Sequence, residues 1–133
     1  KKKKVVDGSK SQGLPKTGYE FERAWRSMRR DPVAKLDYVK ALPVSGLSAL
    51  IKGTSGLDGE MLADVLNTVR GAFLPESVDS ALVWAKALSS NSRLALTLLL
   101  LTDSEKKAIT NFFGDMPADN PEVLAIRSHF LAS

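Results

Sequence analysis

The amino-acid sequence predicts an all-α domain, a compact bundle of about seven or eight short helices, and three observations support this fold class. Apolar residues recur at the spacing of amphipathic helices from Pro15 onward. Residues typical of helix N-termini precede these segments, and no alternating run of β-branched residues indicates a strand. Hydrophobic residues make up 44% of the 133 residues, which suffices for one core without disulfide bonds.

The first half of the domain contains four predicted helices, each with an apolar stripe. The starts are Thr17 with Glu20 as a capping box, Asp31 before Pro32, and Asp58, while Pro43 separates the second helix from the third. The third helix ends near Gly53 and the fourth at Gly71, because glycine commonly follows a helix. The residues expected to face the core are Phe21, Trp25, Met28, Val33, Leu36, Val39, Leu47, Leu50, Ile51, Met61, Leu62, Val65, Leu66 and Val69.

The second half of the domain contains four more predicted helices. Their starts are Pro75 to Ser77, then Asn91 or Ser92, then Thr102 with Glu105 as a second capping box, and Asn120 before Pro121. Gly114 ends the third of these four helices. The residues expected to face the core are Val78, Ala81, Leu82, Ala85, Leu88, Ile109, Phe112, Phe113, Val123, Ile126 and Phe130. The aromatic residues assigned to packing in or beside the core are Tyr19, Trp25, Tyr38 and Trp84.

The helix that begins after Ser92 is apolar on more sides than one core can cover. At 100° per residue, one stripe is assigned to the core and consists of Leu94, Leu98 and Leu101. A second stripe points away from it and consists of Arg93, Leu96, Thr97 and Leu100. Ala95 and Leu99 are placed beside the core on its far side. Either this helix is buried in the middle of the bundle, or the second stripe is an exposed anchor with an arginine at its edge, which is typical of binding hot spots.

The net charge of +4 is concentrated in the first 13 residues, which hold five lysines and one aspartate. The rest of the chain has equal numbers of basic and acidic side chains. A Lys/Gly/Ser-rich segment cannot bury enough apolar surface to fold. We therefore expect a disordered basic linker over residues 1–13 and one helical domain over residues 14–133. A neutral domain argues against a nucleic-acid partner. The basic linker is expected only to keep the chain soluble, and the alternative is that it makes a weak electrostatic contact.

The chain lacks the residues that several classes of function require. The chain has no cysteine and a single histidine, His129, which cannot by itself form a metal site or a catalytic triad. The apolar run from Leu94 to Leu101 is far shorter than the about 20 residues that span a bilayer. We therefore predict no enzymatic activity, no cofactor, no metal and no membrane contact. The lack of cysteine fits a reducing compartment, so we expect a cytoplasmic or nuclear location.

Two stretches of this sequence resemble a known family. They are "PKTGYEFERAW" at the first helix and "RLALTLLLLTDSEKKAITNFF" at residues 93–113. Their order and separation are similar to those in the C-terminal domain of the RNA polymerase II-associated protein 3 family, and the likeness extends from about Leu14 to Leu131. The same type of domain occurs in sperm-associated antigen 1 and related dynein-assembly factors.

The resemblance implies an all-α adaptor domain of a co-chaperone. In that family the domain docks on the RuvB-like AAA+ ATPases, chiefly RuvB-like 2, while other domains hold heat-shock chaperones, for the assembly of multisubunit complexes. Carried over by position, the contact residues are Arg93, Leu96 and Leu100, with Glu105 and Lys106 at the start of the next helix. The alternative is a structural helical module that homodimerises through the stripe of Leu96 and Leu100.

Overall fold

The computed structural model describes residues 14–131, and within this range the chain forms eight α-helices, one 3₁₀ helix and no β-strand. The helices are α1 (Gly18–Ser27), α2 (Pro32–Ala41), α3 (Leu47–Lys52), α4 (Gly59–Phe73), α5 (Val78–Ser89), α6 (Leu94–Leu99), α7 (Asp103–Gly114) and α8 (Pro121–Phe130), with the 3₁₀ helix at Val44–Gly46. The predicted all-α fold class is confirmed. The predicted linker over residues 1–13 lies outside the described residues.

Helices α4 and α5 form the centre of the bundle. Helix α4 packs against α2, α5 and α7, while α5 also packs against α3 and α8. The buried stripe of α4 agrees with the prediction and consists of Met61, Leu62, Val65, Leu66 and Val69. Helix α5 buries six residues, among them Trp84 at 1% exposure. Apolar residues at helical spacing are buried here because each of the two helices has neighbours on several sides.

Side-chain caps start most of the helices where the sequence predicts them. The predicted caps that accept a hydrogen bond from their own helix are Thr17, Asp31, Asp58, Thr102 and Asn120. Thr102 and Glu105 make both bonds of the predicted capping box. The box at α1 is incomplete, because Glu20 Oε1 accepts from the backbone N–H of Lys16 at 2.7 Å instead of from that of Thr17.

One predicted core residue of α2 lies on the surface. Val33 is 67% exposed, whereas Lys35 and Val39 are the buried residues of α2. Val33 lies about 160° from Lys35 around the helix, so a core contact through Lys35 turns Val33 towards solvent. An apolar pattern does not identify this face, because a lysine is buried only when its ammonium finds a partner. Here the partner is Asp64, with Nζ and Oδ2 2.8 Å apart.

The junction between α4 and α5 differs from the prediction at the end of α4. Helix α4 continues past Gly71, where we predicted its end, to Phe73. Ala72 and Phe73 pack against the core, and this packing offsets the about 1 kcal/mol that a glycine costs in a helix. Helix α5 begins at Val78 after a turn at residues 74–77, and its N-cap is Ser77, the last residue of the predicted start.

Three of the four aromatic residues assigned to packing in or beside the core lie there. Trp25 and Trp84 are 3% and 1% exposed. Tyr38 is partly buried, and its ring stacks on Phe21 with the centroids 6.1 Å apart. Burial raises the pKa of Tyr38 to about 12. Tyr19 contradicts the prediction at 68% exposure, because it lies about 160° from Phe21 around α1.

Candidate docking surface

The leucine run forms only a short helix. Helix α6 contains six residues, and Leu100 is its C-cap with non-helical dihedral angles. Its N-cap is Arg93 rather than Asn91 or Ser92, which the sequence predicted. Asn91 still fixes the start of the helix, because its Oδ1 accepts a hydrogen bond from the backbone N–H of Arg93 at 2.8 Å.

Asn91 also joins the start of α6 to the end of α3. It is 5% exposed, and its Nδ2 donates to the carbonyl oxygens of Ile51 at 2.7 Å and Thr54 at 2.8 Å. The carbonyls at a helix C-terminus have no partner within their own helix. One side-chain amide therefore bonds the last turn of α3 and the loop that follows it, and holds the chain that enters α6.

The inner face of α6 contains a buried threonine. Leu94 and Thr97 are each 4% exposed, and Leu98 and Leu101 pack partly buried against the core. Thr97 Oγ1 donates to the carbonyl oxygen of Leu57 at 2.7 Å. The prediction that Thr97 belongs to the outward stripe is therefore wrong. Thr97 lies only about 60° from Leu94 around the helix, so its hydroxyl reaches the neighbouring loop.

Three leucines project from the outer face. Leu96 is 52% exposed, Leu99 81% and Leu100 71%. Of the two arrangements that the sequence left open, burial of this helix in the middle of the bundle is therefore wrong. Leu99 has the largest exposed fraction of these three, yet it is not among the predicted contact residues. Its angle of about 140° from Leu94 already placed it on the outer half of the helix. We call Leu96, Leu99 and Leu100 the leucine patch.

The three charged residues predicted to contact a partner differ in their surroundings. Arg93 and Lys106 are exposed, and neither forms an ion pair with another residue of the described range. Glu105 is half-buried, and its Oε1 accepts from the backbone N–H of Thr102 at 3.0 Å. A Cβ at Gly59 would overlap the Glu105 carboxylate, so this side chain is packed against the start of α4. Among the described residues, Arg93 and Lys106 therefore have no charged partner, while the Glu105 carboxylate is already bonded.

Within residues 14–131, neither grouped metal ligands nor the hollow between α1 and α4 indicates a binding site for a small ligand. Within that range, no three His, Asp or Glu side chains are grouped to hold a metal ion. A hollow of about 30 Å³ between α1 and α4, lined in part by Trp25 and Asp64, is far smaller than a site for a substrate or cofactor. None of the helices described is both long and apolar enough to cross a membrane.

Comparisons with known proteins agree on one family. The family model described as "Potential Monad-binding region of RPAP3" matches residues 14–106, a range that includes the leucine patch and the capping box of α7. The fold is similar to the NMR structure of the C-terminal domain of the human RPAP3 protein, with a TM-score of 0.74 and 15% sequence identity over 89% of each chain. At this identity the structural match shows the fold alone. A comparison with curated proteins gave no match.

Proposed function

The chain belongs to the family described as the potential Monad-binding region of RPAP3, and we propose that it is a protein-interaction domain that docks through the leucine patch. The observation that carries this proposal is the exposure of three leucines on one short helix, at 52%, 81% and 71%. Adjacent exposed apolar side chains are typical of interaction sites. The buried bonds of Asn91 and Thr97 fix the helix before binding, which lowers the conformational entropy that docking costs.

The proposed partner is a RuvB-like AAA+ ATPase, chiefly RuvB-like 2. The support is the position-by-position resemblance of the segment around Arg93, Leu96 and Leu100 to the RNA polymerase II-associated protein 3 family. In this proposal the domain is the adaptor of a cytoplasmic or nuclear co-chaperone. Other domains of the full-length protein hold heat-shock chaperones, and the complex assembles multisubunit clients such as dyneins. Arg93 and Lys106, which form no ion pair within residues 14–131, would add two positive charges to the contact.

Monad is the second candidate partner, because the description of the family names it. Both candidates are proteins, so the composition of the patch does not decide between them. Separate titrations of the domain onto purified RuvB-like 2 and onto purified Monad will do so. We expect saturable binding to RuvB-like 2, and saturable binding to Monad alone would replace our first candidate with the second.

A homodimer through Leu96 and Leu100 is the weaker alternative. Three partly exposed leucines offer a few hundred Å², the size of the largest apolar patch on an ordinary monomer. A stable interface buries about 800 Å² on each partner, so the patch needs a partner that also contacts the surrounding polar surface. Sedimentation of the isolated domain over a range of concentrations tests this alternative. A dimer that Leu99→Glu converts to a monomer would support it.

The decisive variant for the docking surface is Leu99→Glu. Leu99 is 81% exposed, so the variant should fold normally. Docking would bury the new carboxylate and lose an apolar anchor, so we expect at least about tenfold weaker binding, or about 1.4 kcal/mol. The matched control is Leu124→Glu, an exposed leucine of α8 at 48% exposure, which should bind normally. Equal binding by wild type and Leu99→Glu would exclude the leucine patch as the contact.

A further inference from the structure

Helix α6 is held by a polar bond of Thr97 as well as by the packing of Leu94 and Leu98 against the core. Only two of its six residues are buried, and helices this short are not stable by themselves. Thr97 Oγ1 reaches across to the carbonyl oxygen of Leu57 at 2.7 Å. Leu57 belongs to the α3–α4 loop, residues 53–58, which has no regular secondary structure. The direction of the leucine patch therefore depends on where this loop lies.

Helix α1 holds the α3–α4 loop from its other side. The backbone N–H of Gly56 donates to Glu22 Oε1 at 3.1 Å, and Arg26 Nη2 donates to the carbonyl oxygen of Gly56 at 2.9 Å. Glu22 and Arg26 lie one helical turn apart and pair with each other at 3.3 Å. A Cβ at Gly56 would overlap the Glu22 carboxylate, so the loop approaches α1 as closely as a glycine allows. Two side chains of α1 thus bond both polar groups of the residue that precedes Leu57.

We infer that Glu22 and Arg26 are positioning residues for α6. They hold Gly56 in place, and Gly56 fixes the position of the Leu57 carbonyl oxygen. This oxygen accepts the bond from Thr97 and thereby holds α6 and the leucine patch. This inference deepens the proposed function and depends on it only for the effect on partner binding. The effect on the position and mobility of α6 is a property of the free domain.

A role in global stability would not explain this arrangement. The side chains of Glu22 and Arg26 are 20% and 45% exposed, and an ion pair that is partly open to solvent should contribute only modestly to the free energy of unfolding. Their loss should therefore loosen the loop and α6 locally, while the centre of the bundle stays closed. Amide hydrogen exchange separates the two effects residue by residue.

The first experiment compares Arg26→Ala with Arg29→Ala by hydrogen exchange of the full chain. Arg29 is an exposed arginine just after α1 that pairs with Glu60 at 2.9 Å and bonds no atom of the loop through its side chain. We expect several-fold faster exchange of the amides of α6 in Arg26→Ala and no change in those of α4. Arg29→Ala should leave both unchanged. Equal protection of α6 in the two variants would overturn the inference.

The second experiment separates positioning from direct contact with a partner. Thr97 is 4% exposed, so a partner on the surface cannot reach its hydroxyl. Thr97→Val removes the bond to Leu57 while keeping the shape of the side chain, and Thr97→Ser keeps the hydroxyl. We expect several-fold faster exchange in α6 and several-fold weaker binding to RuvB-like 2 for Thr97→Val, with both restored by Thr97→Ser. Unchanged exchange in Thr97→Val would show that this bond does not hold the helix.

The outcomes for the two proposals are distinguishable. Exchange measurements use the free domain, so they test the role of Glu22, Arg26 and Thr97 even if RuvB-like 2 is not the partner. If Leu99→Glu leaves binding intact while Arg26→Ala loosens α6, the docking surface is wrong and the positioning role stands. If Leu99→Glu abolishes binding while Arg26→Ala changes neither exchange nor affinity, the docking surface stands and the positioning role is wrong.

Discussion

Helices α5 and α6 follow each other along the chain and are both rich in apolar residues, yet they differ in burial. Helix α5 buries six of its 12 residues, whereas α6 buries two of its six. The difference lies in their neighbours: α5 packs between α3, α4 and α8, while α6 meets the core only through its inner face, with Leu94 and Leu98, and bonds a loop through Thr97. Apolar content alone therefore does not determine burial. An apolar side chain without a neighbour in its own fold remains available to another molecule.

The largest effect should come from a truncation in α5. Trp84 is 1% exposed and lies between helices, with its ring 6.2 Å from that of Phe21. Trp84→Ala removes a large buried ring and leaves a cavity, so we expect a loss of about 3–5 kcal/mol in the free energy of unfolding. Urea denaturation followed by circular dichroism measures it. The control in α6, Leu99→Ala, should stay within about 0.5 kcal/mol of wild type, and equal losses in the two variants would contradict the contrast between the helices.

The second prediction compares two leucines within the α6 segment. Leu98 packs partly buried against the core, whereas Leu100 is 71% exposed. A carboxylate in place of Leu98 loses part of its hydration without a partner, so Leu98→Glu should lower the free energy of unfolding by about 1–3 kcal/mol. Leu100→Glu should keep the stability of wild type and lose partner binding at least about tenfold.

The measurement needs both assays on the same two proteins, with thermal unfolding for stability and titration for affinity. Because Leu98 is only partly buried, we expect Leu98→Glu to weaken the fold rather than to abolish it. If Leu100→Glu unfolds the domain as readily as Leu98→Glu, both faces of the helix are structural. The leucine patch would then be part of the core in solution.

The regular parts of the fold could be predicted from local sequence. Caps such as Asp58 and Asn120 act within three residues of their own position, and the stripes of α4, α7 and α8 follow helical spacing. Apolar residues there are buried because spacing alone aligns them on one face. Local information is therefore enough for these helices.

The polar anchors could not be predicted in this way. Thr97 and Leu57 are 40 residues apart along the chain, and Lys35 and Asp64 are 29 apart. Whether a threonine or a lysine is buried depends on an acceptor that only the tertiary structure supplies. This is why Thr97 was predicted to face outward and why Val33, rather than Lys35, was expected to face inward.

The candidate site could be predicted only in part for a related reason. The angular positions of Leu96 and Leu100 placed them away from the core, and the structure leaves both exposed. The same angles place Leu99 on the outer half of the helix, although it was predicted to lie beside the core. That Arg93, Leu96, Leu100, Glu105 and Lys106 contact a partner stays a prediction. The half-buried position of Glu105 makes it the weakest of the five.

The smallest effect should come from Arg93, at the edge of the patch. Arg93 is exposed and forms no ion pair within the described part of the chain, so Arg93→Glu should leave the stability unchanged. Charges at the rim of an interface act mainly on the association rate. We expect binding several-fold weaker at low salt, with wild type and variant converging at high salt, because the screening length falls to about 3 Å at 1 M.

The salt dependence also tests where the boundary between patch and rim lies. Arg30→Glu, a reversal of an exposed arginine between α1 and α2, serves as the control and should bind like wild type at every salt concentration. A loss in Arg93→Glu that persists undiminished at high salt would mean that its guanidinium is desolvated inside the interface, since buried pairs are screened much less. Arg93 would then belong to the centre of the contact with the leucines. The docking surface would extend to the N-terminal end of α6 rather than stop at the leucine patch.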